Sequence, residues 1–169
     1  MLFRSLGVGV GINYLVEDTR AQQRMAVKEL SLPPELRTVD RDRLGAEAEA
    51  LEQLNHAGVP RYVRHFAVED SHGARLYTVQ EVGRGSSLRD WVRAGWRPTE
   101  AEVRELVLGA LDILSYLGSL KPPMVHRDIK PENLFRDDDG KVQLVDFGAV
   151  VDALLQVCPA TQRPQAGLG

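Results

Sequence analysis

At 169 residues, 43% hydrophobic and 27% charged, the chain has ordinary globular composition and enough length to bury a core. A net charge of −3 and a pI near 5.8, with both signs interspersed, offer neither a nucleic-acid footprint nor a polybasic membrane anchor. No stretch is long and apolar enough to span a bilayer, and the single cysteine, Cys158, cannot close an intramolecular disulfide, which fits a reducing, cytoplasmic setting.

The apolar stretch from Leu6 to Val16 follows Arg4, but three glycines split it and it lacks a small-residue cleavage site. It reads as strand and loop. Gly7-Val8-Gly9-Val10-Gly11 predicts a loop whose backbone amides can approach phosphate oxygens, although a glycine-rich β-turn is the commoner meaning of such a run. Ile12 to Glu17 follows as a strand, and Met25-Ala26-Val27-Lys28 as another that ends at Lys28.

Val39 to Asn55 is helical in pattern, with Leu44, Glu47, Leu51 and Leu54 on one face. Glu47 stands in an otherwise apolar stripe, whereas Glu49 groups with Glu52 and Gln53 on a polar face. A lone acid on an apolar face needs a cation, because an unpaired buried charge is costly. Lys28 supplies it. Arg61 to Glu69 and Leu76 to Val82 are β-rich runs joined by the turn sequence Asp70-Ser71-His72-Gly73. His56, His65 and His72 show no metal-ligand spacing and read as surface or core histidines.

Gly83-Arg84-Gly85-Ser86-Ser87 predicts a flexible crossover between two lobes. Ser87 caps a short helix, and Thr99 with Glu102 has capping-box spacing at the start of a longer one. Val103, Leu106, Val107, Ala110, Leu111, Leu114 and Leu117 make a continuous core-building stripe on that helix.

His126-Arg127-Asp128-Ile129-Lys130-Pro131-Glu132-Asn133 then offers a carboxylate, a cation and an amide at Asp128, Lys130 and Asn133. Leu134-Phe135-Arg136 predicts a strand, Asp137-Asp138-Asp139-Gly140 a tight turn, and Lys141 to Val145 a returning strand. Such a hairpin makes neighbours of Asn133, just before it, and Asp146, just after it. Two oxygen ligands side by side suit Mg²⁺, with Asp128 one short loop away. A charge-rich surface loop before an ordinary hairpin would explain the turn, but not the whole string.

The string H-R-D-I-K-P-E-N at 126–133, D-F-G beginning 18 residues after Asp128, and M-A-V-K at 25–28 resemble the eukaryotic-type serine/threonine protein kinases. The resemblance implies an α+β, bilobal fold. Residues 1–82 would form a lobe of antiparallel β-sheet with one main helix, 83–87 a hinge, and 88–169 an incomplete helical lobe. It implies ATP and Mg²⁺ between the lobes, with Ala26 above and Phe135 below the adenine. Backbone groups of Glu81 and Gly83 would read the base, and Gln80 would gate the space behind it.

Gly7, Gly9 and Gly11 would cover the phosphates, and Lys28, fixed by Glu47 at the family's usual separation of 19 residues, would hold them. Asn133 and Asp146 would hold the metal, Asp128 would take the proton of a substrate hydroxyl, and Lys130 would steady the γ-phosphate. A lysine two residues after Asp128 implies a protein substrate with a Ser or Thr acceptor. The glycine loop is one residue shorter than the family's G-x-G-x-x-G, and Asn13 stands where the family usually has Val.

After Gly148 the family continues through a peptide-docking loop, an A-P-E segment and several helices, none of which is present, so the resemblance implies a partial domain with exposed apolar surface. Thr161 reads either as a phosphosite facing Arg127 or as a tail threonine. Two other readings stay open: a nucleotide-binding or docking remnant that transfers nothing, and a small-molecule phosphotransferase.

Overall fold

The computed structural model describes residues 11–19, 22–32, 49–70 and 73–147. Four strands form the first sheet: β1 (Gly11–Asp18), β2 (Gln23–Leu32), β3 (Tyr62–Asp70) and β4 (Gly73–Glu81), in the antiparallel order β1-β2-β4-β3. Helix α1 is described over residues 49–52. The chain then runs through β5 (Ser86–Ser87), α2 (Leu88–Arg93), α3 (Glu100–Ser119), β6 (Leu134–Arg136) and β7 (Val142–Leu144). The last three strands make a second, small sheet in the order β5-β6-β7.

Strand β2 does not stop at Lys28. It continues through Glu29-Leu30-Ser31-Leu32, because Leu30 extends the alternation that puts Ala26 and Lys28 on one face. Leu30 is buried at 1% exposure and pairs with Leu76 of β4. Lys28 therefore lies mid-sheet, opposite Asn13 on one side and Thr78 on the other. Strand register fixes where its side chain emerges.

One core cluster joins the two parts of the chain: Leu30 and Leu76 from the first sheet, Leu51 from α1, Ile113 and Leu117 from α3, and Leu144 from β7. Helix α3 starts at the predicted capping box. The Glu102 backbone N–H donates to Thr99 Oγ1 at 3.3 Å, and the Thr99 N–H donates to Glu102 Oε2 at 2.8 Å. Its apolar stripe is only half covered. Ile113 and Leu117 are buried, whereas Val103, Val107 and Leu111 are 43%, 46% and 53% exposed. The predicted continuous core stripe is corrected accordingly: the helix is apolar over a wider arc than the described residues pack against.

The crossover after β4 is pinned in place. Ser86 and Ser87 pair with Arg136 and Phe135 as strand β5. Gly85 has φ 77°, and a Cβ there would stand 2.1 Å from the Arg136 carbonyl oxygen, so close approach requires glycine. The hairpin itself follows the sequence pattern. Its turn closes with Gly140 N–H donating to the Asp137 carbonyl at 3.0 Å, Gly140 has φ 84°, and the Lys141 N–H donates to Asp137 Oδ1 at 2.8 Å. Among the described residues no helix is long and apolar enough to cross a membrane.

Candidate active site

The hairpin ladder pairs Leu134 with Leu144, and one step further the Val145 N–H donates to the Asn133 carbonyl at 2.9 Å. Asn133 and Asp146 thus flank the open end of the ribbon, as the turn pattern predicts. Asp146 has φ 62° and Arg127 φ 66°, a left-handed conformation that non-glycine residues adopt sparingly. It turns the chain sharply at both ends of the site.

Within the loop before the hairpin, Asn133 is 4% exposed and its side-chain N–H groups point at Asp128, 2.8 Å from the carbonyl oxygen and 2.9 Å from Oδ2. With both amide hydrogens engaged, Oδ1 is the atom Asn133 has left to offer a cation. The Lys130 ammonium donates to Asp128 Oδ2 at 2.7 Å. Burial pushes the Asp128 carboxyl up, but the Lys130 hydrogen bond and charge, with help from Asn133, outweigh it and hold the group below the usual carboxylate value. Among the described residues no three His, Cys, Asp or Glu side chains cluster as metal ligands. One amide oxygen and one carboxylate suit Mg²⁺, which takes few protein ligands and keeps waters and substrate phosphates.

His126 supports this loop from beneath and is 1% exposed. Its Nδ1 accepts from the Asp128 N–H at 3.3 Å, so Nε2 carries the proton and donates to the Val145 carbonyl at 3.1 Å. Burial lowers its pKa, opposed by the Val145 carbonyl and by Asp146 and Asp128. Phe147, also 1% exposed, meets the His126 ring edge-on at 4.6 Å and the Tyr62 ring at 6.1 Å. Tyr62 is buried in turn; burial and the Asp146 charge push its hydroxyl pKa up, against a hydrogen bond from the Phe147 backbone. Sequence reasoning missed Tyr62 and the structural part of His126.

A cavity of about 190 Å³ lies between the two sheets. Ala26 and Lys28 of β2, Gln80 of β4, Gly83 of the crossover, Phe135 of β6 and Asp146 all line it, with Asn13 at one side. The Glu81 side chain turns aside to Arg61, 3.3 Å away. A Cβ on Gly83 would stand 2.9 Å from Val145 Cγ1 and 3.2 Å from Phe135 Cδ1, so the crossover backbone runs close to the wall beneath it. Lys28 Nζ meets Asp146 Oδ1 at 2.9 Å, the two side chains being 18% and 29% exposed.

Gly7, Gly9, Glu47 and Thr161 lie outside the described residues, and so does the predicted pairing of Lys28 with Glu47. Gly11 opens β1, paired with Leu30. Glu49 is exposed, Leu51 and Leu54 are buried, and Glu52 meets His65 Nδ1 at 2.8 Å. His56 meets Asp112 at 3.2 Å.

Comparison with known proteins gives a match between the protein kinase domain and residues 2–161. Serine/threonine-protein kinase B of Synechocystis sp. is 39% identical over 124 residues, which cover 72% of this chain and 21% of that protein. Serine/threonine-protein kinase C of the same organism is 32% identical over 154 residues, 86% of this chain and 28% of that protein. Serine/threonine-protein kinase PknA of Nostoc sp. is 30% identical over 176 residues, 99% of this chain and 30% of that protein. The chain therefore spans less than a third of the length of these relatives. With the match covering nearly all of its residues and the site built as described, the chain belongs to the protein kinase domain family.

Proposed function

We propose that the chain binds ATP with Mg²⁺ in the cavity between its sheets and transfers the γ-phosphate to a Ser or Thr hydroxyl of a protein substrate in the cytoplasm. The observation that carries this reading is the Lys28–Asp146 contact in the wall of the cleft, with Asn133, hydrogen-bonded to Asp128, at the other foot of the same hairpin. Residues 1–82 act as the nucleotide-holding lobe, 83–87 as the hinge and 88–169 as the part of the second lobe that carries the reaction.

Phosphoryl transfer asks for positioning and charge neutralisation more than for covalent chemistry by the protein. Ala26 and Phe135 enclose the base, and the backbone of Glu81 and Gly83 reads its edge. Lys28 donates to phosphate oxygens, with Glu47 as its partner from the main helix. Gly7, Gly9 and Gly11 bring backbone amides over the phosphates. Asn133 and Asp146 hold Mg²⁺, which when bound neutralises charge on the transferred group. Asp128, kept ionised by Lys130, accepts the proton of the attacking hydroxyl, and Lys130 also faces the γ-phosphate.

The test is transfer of γ-labelled phosphate from MgATP to peptides that differ only in a Ser, Thr or Tyr acceptor. Ser and Thr peptides are expected to be labelled, and Asp128→Asn to remove the label. A second reading, nucleotide binding without transfer, needs only the cleft and the Lys28–Asp146 contact in its wall. Saturable ATP binding by a folded sample that labels no peptide would select it.

A further inference from the structure

Gln143 sits in β7, three residues before Asp146, and is 8% exposed. Both ends of its amide are engaged across the fold. Oε1 accepts from the backbone N–H of Arg84 at 2.7 Å, and Nε2 donates to the Ala57 carbonyl at 3.1 Å. Beside it the Leu144 N–H donates to the Gly58 carbonyl at 2.8 Å. One side chain thus joins the crossover, the loop that leads into β3, and the strand that leads to Asp146.

The loop is itself fixed to α3. The Asn55 N–H donates to the Tyr116 hydroxyl at 2.8 Å, the His56 ring stacks on Tyr116 at 4.9 Å, and a Cβ on Gly58 would stand 2.4 Å from Ile113 Cγ1. Arg84, by contrast, lies between β4 and β5, where no strand pairing holds it. Its neighbour Gly83 is the crossover residue that faces Phe135 and Val145 in the cleft. An apolar side chain of the same length could fill the site of Gln143 but could not hold Arg84 to Ala57.

We propose that Gln143 is a positioning residue: its amide holds the crossover to the α3-docked loop and thereby sets where Gly83 stands against the nucleotide. The second half of this rests on the nucleotide-binding reading above. Gln143 touches neither nucleotide nor the reacting atoms. It acts through the Arg84 backbone.

Gln143→Met in the full chain keeps the length and removes both hydrogen bonds. Amide exchange at Arg84 is expected to speed up about tenfold, the scale of one lost hydrogen bond. The dissociation constant for MgADP is expected to rise about fivefold. Gln143→Glu keeps the acceptor for Arg84 but loses the donor and sets a carboxylate against the Ala57 carbonyl. It should therefore leave Arg84 exchange fast, and full protection in this variant would overturn the link to Ala57. Thr99→Ala, which destabilises α3 from a distant cap, should leave Arg84 exchange and MgADP affinity unchanged, so loss of stability alone cannot mimic the effect. Unchanged Arg84 exchange in Gln143→Met would overturn the clamp, and faster exchange with unaltered MgADP affinity would overturn its role at the cleft. If the unaltered chain binds no MgADP, the nucleotide reading fails together with that role, and Arg84 exchange still decides the clamp.

Discussion

Lys28 and Asp146, separated by 118 positions in the chain, meet at 2.9 Å in the cleft between the two sheets. One comes from the middle of a central strand, the other from a left-handed residue at the end of a hairpin. Neither side chain is fully buried, so solvent screens the pair and its worth to stability is small. Its consequence is placement: a cation beside a carboxylate at the depth where phosphates and their metal would lie.

Lys28→Met separates these two effects. Stability to denaturant is expected to change by less than about 1 kcal/mol, while ATP affinity, measured by titration calorimetry, falls at least about tenfold through loss of a charge-assisted contact. Equal ATP affinity in the variant would remove Lys28 from the phosphate site.

Gly83→Val should narrow the cleft. The added side chain meets Val145 and Phe135, whose nearest atoms lie 2.9 and 3.2 Å from its Cβ position. Nucleotide affinity is expected to fall on the order of tenfold, about 1.4 kcal/mol, and stability to fall as well, because β-branched Val145 has little freedom to move its Cγ1 aside. Undiminished affinity would show that the base does not lie against Gly83.

His126 predicts a pH dependence of stability. Burial lowers its pKa from the ordinary 6.5, and Lys130 adds to the lowering, while the Val145 carbonyl, Asp146 and Asp128 oppose it. The unfolded chain therefore takes up the proton first as pH falls. The His126 contribution is intact above about pH 6.5 and declines as pH drops towards the lowered folded value. His126→Gln should remove this part of the slope between pH 7.5 and 5 in denaturation midpoints. Identical slopes in both chains would contradict the buried, neutral ring.

Local signals made much of the site legible in the sequence. The Asp-Gly turn and the short apolar runs around it predicted the β6–β7 ribbon, and with it the closeness of Asn133 and Asp146. Thr99 and Glu102 predicted the start of α3 through a contact between residues three apart. What the sequence withheld depends on partners distant in the chain.

Lys28 looked like the end of a strand because Glu29 interrupts the apolar run, yet pairing with both neighbouring strands carries β2 on to Leu32. The crossover looked flexible because glycine and serine weigh on local propensity alone, whereas Arg136 and Gln143 fix it from far away. Tyr62 gave no signal at all. Its place against Phe147 is set by how the first sheet packs on the hairpin. The apolar stripe of α3 was read to include Val103, Val107 and Leu111, which are exposed, and to omit Ile113, which is buried, whereas Leu106, Ala110, Leu114 and Leu117 do pack on the core.

The most direct test of the account is the Mg²⁺ dependence of ATP binding in the unaltered chain and in Asp146→Ala. The geometry predicts that Mg²⁺ tightens ATP binding at least about tenfold in the former and has no effect in the latter. The same gain from Mg²⁺ in both chains would contradict it, because the metal would then be held somewhere other than the end of the hairpin.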